Sequence, residues 1–240
     1  DLHFFSENTL RYLFAKNAAD RDVSIIEGVM GYYDGLGLTS TKASSYDVAQ
    51  VTDSPVVLVV NAKGASLSVL AVIQGFLNFA PKSNIRGVLL NQCSPMAYTA
   101  LSRAIEERLG VACYGYLPKM ENCSLESRHL GLVTADEVAD LKEKMSALAA
   151  QVEKTVDLDG LLALSRTAPD LEYTPIKLPR REPVRIAVAR DRAFCFYYED
   201  SLEAIREMGG EIVEFSPLKD SALPEHIQGL YLGGGYPELY

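Results

Sequence analysis

Two kinds of apolar run alternate along this chain. Ser54-Pro-Val-Val-Leu-Val-Val-Asn61 is a continuous β-branched run, the pattern of a strand buried on both faces, Ile85-Arg-Gly-Val-Leu-Leu-Asn91 predicts another buried strand, and Val111-Ala-Cys-Tyr-Gly-Tyr-Leu-Pro118 a further short one. Asp22-Val-Ser-Ile-Ile-Glu27 predicts a further short strand that runs into a Gly28-Val-Met-Gly31 loop. Between the strands the apolar spacing turns helical. Leu2, Phe5, Leu10, Leu13 and Phe14 predict an amphipathic helix over Leu2 to Asn17, and Leu67 to Phe79 and Met96 to Leu109 predict two more. A long helix is expected from Thr134 to Leu164, opened by Thr134-Ala-Asp-Glu137 with the spacing of a capping box.

Strands alternating with helices imply an α/β fold with a doubly wound, mostly parallel sheet. Ligands in such sheets sit at the carboxyl ends of the strands, which selects the loops after Ile26, Val60, Leu90 and Tyr116. The pattern lapses where Pro169, Pro175, Pro179 and Pro183 surround Arg180-Arg181, because proline breaks helices and removes backbone donors. The expected division is a first domain over 1–165, a linker over 166–183 and a second, shorter unit over 184–240. That second unit restarts with a strand at Val184-Arg-Ile-Ala-Val-Ala189, continues with a helix to Met208 stopped by Gly209-Gly210, and adds strands at Glu211 to Phe215 and Gly229 to Leu232.

Composition narrows the class. With 240 residues, 48% hydrophobic and 23% charged, the chain has ordinary globular content. A net charge of -9 argues against nucleic acid as a partner, since a phosphate backbone needs a basic face. No apolar run reaches the ~20 residues of a membrane span. Cys93, Cys113, Cys123 and Cys195 form no CxxC pair, so neither a zinc site nor a disulfide framework is expected, and a reducing cytoplasm is the expected location. The chain lacks an initiator Met and a basic leader, and reads as a piece of a longer protein.

Four constellations could carry chemistry. Glu27-Gly-Val-Met-Gly-Tyr-Tyr-Asp34-Gly35 puts a carboxylate at a strand end before glycines, a way to hold Mg²⁺ against nucleotide phosphates, with Asp34 as a second ligand or base. The same spacing also describes a strand-end Glu and a turn Asp before Gly. Met30, Tyr32 and Tyr33 read as pocket wall or packing. Asn91 ends a buried strand and can pair with the edge of a base, with Leu117 and Pro118 as an apolar wall; a loop-initiating Asn is the plainer alternative. Arg128-His129 suits anionic groups, or else a surface ion pair and a capping histidine. Gly233-Gly-Gly-Tyr-Pro-Glu238 after an apolar strand can present amides to an oxyanion or form a tight turn. Lys63 reaches a phosphate or stands in solvent.

Taken together, Glu27 to Gly35, Arg128-His-Leu-Gly-Leu132, Ile186-Ala-Val-Ala-Arg-Asp-Arg-Ala-Phe-Cys-Phe-Tyr-Tyr198, Phe215-Ser-Pro-Leu218 and Leu232-Gly-Gly-Gly-Tyr-Pro-Glu-Leu239 resemble, in order, the cobyrinic acid a,c-diamide synthases. These are ATP- and glutamine-dependent amidases of corrin biosynthesis. The resemblance spans essentially the whole chain. It implies a P-loop domain of dethiobiotin synthetase type followed by the start of a flavodoxin-like class I glutamine amidotransferase domain. ATP would activate the a- and c-side-chain carboxylates of the corrinoid as acyl phosphates, which ammonia from glutamine then attacks.

The resemblance further implies roles for particular residues. Glu27 would be the Mg²⁺ ligand and a catalytic carboxylate with Asp34. Asn91, Leu117, Pro118 and Lys63 would bind nucleotide. Arg128, His129 and Tyr33 would meet substrate, and Gly234 and Gly235 would form the oxyanion strand. The implied co-substrates are ATP, glutamine and a corrinoid, with Mg²⁺ as cofactor; a homodimer is compatible, and neither nucleic acid nor membrane is expected. The phosphate loop GxxxxGK[ST] is not among these residues and is expected before residue 1, with the glutaminase Cys and His beyond residue 240. Cys195 lies in a packing segment and is not the nucleophile. The chain alone is therefore expected neither to hydrolyse glutamine nor to form an acyl phosphate. Hydrogenobyrinic acid or a nickel sirohydrochlorin would be alternative rings, and a partition-type or non-catalytic nucleotide-binding ATPase the alternative of another class.

Overall fold

A computed structural model describes residues 2–124, 127–128, 131–132, 138 and 140–240. The chain divides into two compact units, Asp1–Thr174 and Pro175–Tyr240.

In the first unit the three apolar runs form β1 (Val56–Asn61), β2 (Ile85–Asn91) and β3 (Ala112–Leu117). They pair in parallel in the order β1-β2-β3. Helices α1 (Glu7–Ala18) and α2 (Ser45–Val51) precede the sheet, and α3 (Ser68–Asn78) and α4 (Pro95–Leu109) make the two crossovers. Parallel neighbours need such crossovers, which is why helical and β-type runs alternate in the sequence. The burial on both faces expected of β1 does not hold: Leu58 and Val60 are buried, whereas Val59 between them is exposed, so the strand packs on one side. The core closes where Val88 and Leu90 of β2 meet Ile73 of α3 and Ile105 of α4, all four without solvent exposure.

Local chemistry sets the helix ends. Ser6, Ser44 and Ser94 cap α1, α2 and α4 by accepting from the amides of Thr9, Asp47 and Ala97. Pro95 sits at the start of α4 and Gly110, at φ 64°, ends it in the left-handed conformation that glycine tolerates. The Ser6 cap starts α1 at Glu7, so the helix expected from Leu2 begins later, at that residue.

Two expectations need correction. The strand expected over Asp22 to Glu27 does not form: the segment is irregular and exposed, with Ile25 at 90%. A strand is held by a ladder, and β-type composition alone supplies none. The single helix expected from Thr134 to Leu164 is two, α5 (Leu141–Thr155) and α6 (Leu158–Ser165). Its capping box, Thr134 to Glu137, lies outside the described residues. Between the two helices Val156 becomes extended and bridges Gly115 of β3, and the Asp157 amide donates to the Tyr114 carbonyl at 2.7 Å. The Asp157 side chain then caps α6 through the Gly160 amide at 2.9 Å. A Cβ on Gly115, at φ 135°, would lie 2.2 Å from the Thr155 carbonyl oxygen. Glycine at that position is what lets the helix break dock on the sheet. A short antiparallel pair, β4 (Ser127–Arg128) and β5 (Gly131–Leu132), stands between β3 and α5 in the chain.

The second unit is a parallel sheet in the order β7-β6-β8, made of β6 (Val184–Ala189), β7 (Gly210–Phe215) and β8 (Gly229–Tyr231), with α7 (Glu199–Glu207) as the β6–β7 crossover. Ala187, Val188 and Ala189 are fully buried together with Leu202, the one buried residue of α7. The protein is thus α/β with parallel sheets in both units. Among the described residues no helix is long and apolar enough to cross a membrane.

Candidate functional site

Strand register builds the first candidate site. Asn61 pairs with Asn91, and Asn91 with Leu117, so the last residues of β1, β2 and β3 form one row at the carboxyl edge of the sheet. The backbone continues the row: the Ala62 amide donates to the Asn91 carbonyl at 2.8 Å and the Cys93 amide to the Leu117 carbonyl at 3.0 Å. Both asparagine side chains shape the turns that follow. Asn61 Oδ1 accepts from the Lys63 amide and Asn91 Oδ1 from the Gln92 amide, each at 3.0 Å. An amide oxygen engaged in this way leaves the Nδ2 donors for a ligand.

A concavity of about 520 Å³ opens beside this edge, lined by Asn91, Gln92, Leu117, Pro118, Met120 and Leu148 among others. That is a volume suited to a small molecule. The structure therefore brings together Asn91, Leu117 and Pro118. Lys63 follows β1 on the exposed turn and does not line the concavity. The local pattern does not mark Gln92; the signal that marks Asn61 is that two successive apolar runs end in the same residue, VVLVVN and IRGVLLN.

Around Tyr32 the chain is anchored rather than open. Tyr32 is buried and its hydroxyl donates to the Ser83 carbonyl, while the Tyr33 hydroxyl donates to the Phe76 carbonyl at 2.7 Å. Tyr33 packs among Tyr32, Tyr46, Phe76 and Phe79, with ring centroids 4.7 to 5.9 Å apart. Burial pushes both phenols above their ordinary value, Tyr32 most, helped by the neighbouring tyrosines. Tyr33 thus occupies the packing role read for it from the pattern, and its hydroxyl is engaged within the protein. Glu27 and Asp34 are both exposed. The Asp34 amide donates to the Gly31 carbonyl at 2.9 Å, and a Cβ on Gly31 would lie 2.2 Å from Asp34 Oδ2, so the carboxylate folds back over the Gly31 backbone. Arg128 has its backbone in β4, and His129 lies outside the described residues.

Among the described residues no group of three His, Cys, Asp or Glu side chains converges as a metal cage. One or two exposed carboxylates fit Mg²⁺ nonetheless, because Mg²⁺ keeps several waters and shares its shell with phosphates. No disulfide joins Cys93, Cys113, Cys123 or Cys195. Burial pushes Cys93 up and Cys113 up to about 11, which suits packing rather than nucleophilic attack.

The second candidate site is the carboxyl edge of the second sheet. After β8 the chain runs Gly233-Gly-Gly against the loop that follows β6. Gly234 and Phe196 form an antiparallel bridge: the Phe196 and Cys195 amides donate to the Gly234 carbonyl at 2.9 and 3.0 Å, and the Gly234 amide donates back to the Phe196 carbonyl at 3.2 Å. The Gly233 amide donates to the Tyr197 hydroxyl at 2.9 Å, and that hydroxyl donates to the Ala189 carbonyl. Close approach explains the glycines, since a Cβ on Gly235 would stand 2.0 Å from the Ala193 carbonyl oxygen. Of the two glycines expected at an oxyanion, Gly234 has its amide engaged within the loop. The Gly235 amide donates to no acceptor among the described residues.

Asp191 organises the same edge. Its carboxylate accepts from the amides of Ala193 (2.8 Å), Phe194 (3.2 Å) and Leu218 (3.0 Å) and from the Ser216 hydroxyl (2.8 Å). Partial burial raises its pKa, but these hydrogen bonds outweigh burial and hold it below the ordinary value.

Residues 185–240 match the CobB/CobQ-like glutamine amidotransferase domain. The whole chain aligns at 44% identity with a cobyrinate a,c-diamide synthase of Caldanaerobacter subterraneus, covering 53% of that protein. It aligns over its whole length at 43% identity with a synthase of the same name from Clostridium acetobutylicum, covering 54% of it. A Listeria monocytogenes counterpart is 41% identical over 96% of this chain and 52% of its own length. The chain spans about half the length of the curated relatives it matches. No solved structure matches it. From end to end, then, this chain is similar to cobyrinate a,c-diamide synthases, and its second unit matches a CobB/CobQ-like glutamine amidotransferase domain.

Proposed function

We propose that the protein to which this chain belongs amidates the a- and c-side-chain carboxylates of cobyrinic acid in cobalamin biosynthesis, using ATP and glutamine. The observation that carries the reading is the alignment of the whole chain with cobyrinate a,c-diamide synthases at 36 to 44% identity. Two α/β units suit two half-reactions, with residues 1–165 as the ATP-dependent amidoligase part and 184–240 as the start of the glutaminase.

A carboxylate is a poor electrophile until a good leaving group replaces its oxygen, and phosphoryl transfer supplies one. Asn91, Leu117 and Pro118 would take the adenine in the concavity, with Asn91 donating to the base edge. Lys63 would answer phosphate charge from the turn after β1. Glu27 would hold Mg²⁺, which when bound neutralises charge on the transferred phosphoryl group, and Asp34 would orient metal or substrate. Arg128 and His129 would meet carboxylates of the ring. In the second unit the Gly235 amide would donate to the oxyanion formed on glutamine.

The test uses the full-length protein with cobyrinic acid, ATP, Mg²⁺ and glutamine, followed by mass spectrometry. Successive formation of a mono- and a diamide, with ADP, phosphate and glutamate released, is expected. No amide with either glutamine or an ammonium salt would overturn the reading. Turnover confined to hydrogenobyrinic acid or a nickel sirohydrochlorin would move the substrate and leave the chemistry. Glu27→Gln is expected to lower ATP-dependent amidation on the order of a hundredfold, since a metal's charge stabilisation amounts to several kcal/mol.

A further inference from the structure

The Gly233–Gly235 backbone is tied to the loop after β6, at Gly234 through the Cys195 and Phe196 backbone and at Gly233 through the Tyr197 hydroxyl. We propose that Asp191 and Tyr197 are positioning residues for the glutamine half-reaction, fixing the Gly235 amide where an oxyanion would form. The proposal rests on the glutaminase reading of residues 185–240.

The contacts run as a chain. Asp191 ties the loop after β6 to the loop after β7, taking its own strand's continuation through Ala193 and Phe194 and the other through Ser216 and Leu218. The segment so fixed is the one that touches the glycines. Cys195 and Phe196 pair with Gly234, and Ala193 presents its carbonyl to the space where a Gly235 side chain would stand. Tyr197 adds a second anchor, its hydroxyl linking the end of β6 at Ala189 to the Gly233 amide. Gly233 and Gly234 are therefore held by the loop after β6, through groups that need not touch substrate. Arg190 lies over the Tyr197 ring at 5.9 Å and pairs with Glu214 at 3.1 Å, which restrains the ring from one face. An oxyanion donor works only when preorganised, and a displacement of about 1 Å in a catalytic group can cost on the order of a hundredfold in rate.

The experiment compares glutamine-supported with ammonium-supported amidation by the full-length protein and its Asp191→Asn and Tyr197→Phe variants. Ammonium bypasses the glutamine step and leaves the ATP half-reaction as an internal control. Both variants are expected to lose roughly ten- to a hundredfold in glutamine-supported kcat. The KM for glutamine and the ammonium-supported rate are expected to stay within about twofold, as positioning of the transition state demands. Tyr197→Phe keeps the ring and removes the hydroxyl alone, so it reports even where Asp191→Asn folds poorly. Equal loss with both nitrogen sources, or unchanged glutamine turnover in both variants, overturns the proposal. Wild-type protein that amidates with ammonium but never with glutamine overturns the glutaminase reading itself, and the proposal falls with it.

Discussion

At the scale of single residues, hydrogen-bonded side chains at strand ends decide the geometry of both candidate sites. Asp191 gathers three amides and a hydroxyl on one carboxylate, and hydrogen bonds to a charged group contribute about 1.5–3 kcal/mol each when a partner is removed. Its pKa is depressed in the folded state relative to the ordinary value of 3.8. The sign follows: stability from this group is complete above that value and is lost as pH falls through the folded pKa below it. Acid-unfolding curves of wild type and Asp191→Asn are expected to differ most near neutrality and to converge in strong acid. Separation that widens in acid would contradict the assignment. Gly235→Ala is expected to destabilise the second unit more than Gly37→Ala destabilises the first, when both are followed by thermal unfolding. The reason is that a side chain at Gly235 would clash with the Ala193 carbonyl, whereas one at Gly37 meets nothing within 4 Å and carries only the strain of its φ of 77°.

At the scale of elements, burial follows the apolar pattern in β2, α3 and α4, and departs from it where an element lacks a neighbour, as at the exposed Val59 of β1. Leu202 is the one buried residue of α7, set against the fully buried Ala187 to Ala189 of β6. Leu202→Ala is expected to cost about 2–5 kcal/mol in chemical denaturation of the second unit; a loss below about 0.5 kcal/mol, typical of surface substitutions, would show that α7 is dispensable. The opposite case is Asp22 to Glu27, whose β-branched residues stay exposed and unladdered. Propensity describes fit to a pleated surface, and without that surface it does not make a strand. The α5–α6 break is subtler. Its amphipathic pattern runs on through Val156, and only the docking of Val156 and Asp157 on Gly115 and Tyr114 interrupts it.

At the scale of the whole molecule, the chain comprises two parallel α/β units, with the division after Thr174 inside a proline-rich, exposed stretch. Limited trypsin digestion is expected to cut first at Lys177, Arg180 or Arg181; first cuts within α4 would contradict the division. The sequence by itself determined the three strands of the first sheet, the crossover helices and the carboxyl-edge loops after Val60, Leu90 and Tyr116, but not the edge expected after Ile26. Those features follow from local burial patterns, and the apolar runs ending in Asn61, Asn91 and Leu117 carry them directly. It also placed Asn91, Leu117 and Pro118 together in advance, because parallel strands of similar length end side by side. Only the tertiary structure decided that Asn61 joins that row, that Gly115 receives a helix break and that Tyr33 gives its hydroxyl to Phe76. Likewise, only folding made Asp191 and Tyr197 the anchors of Gly233 to Gly235. These depend on register, and on side chains from segments 25 to 43 residues apart in sequence meeting across loops, which no periodicity encodes.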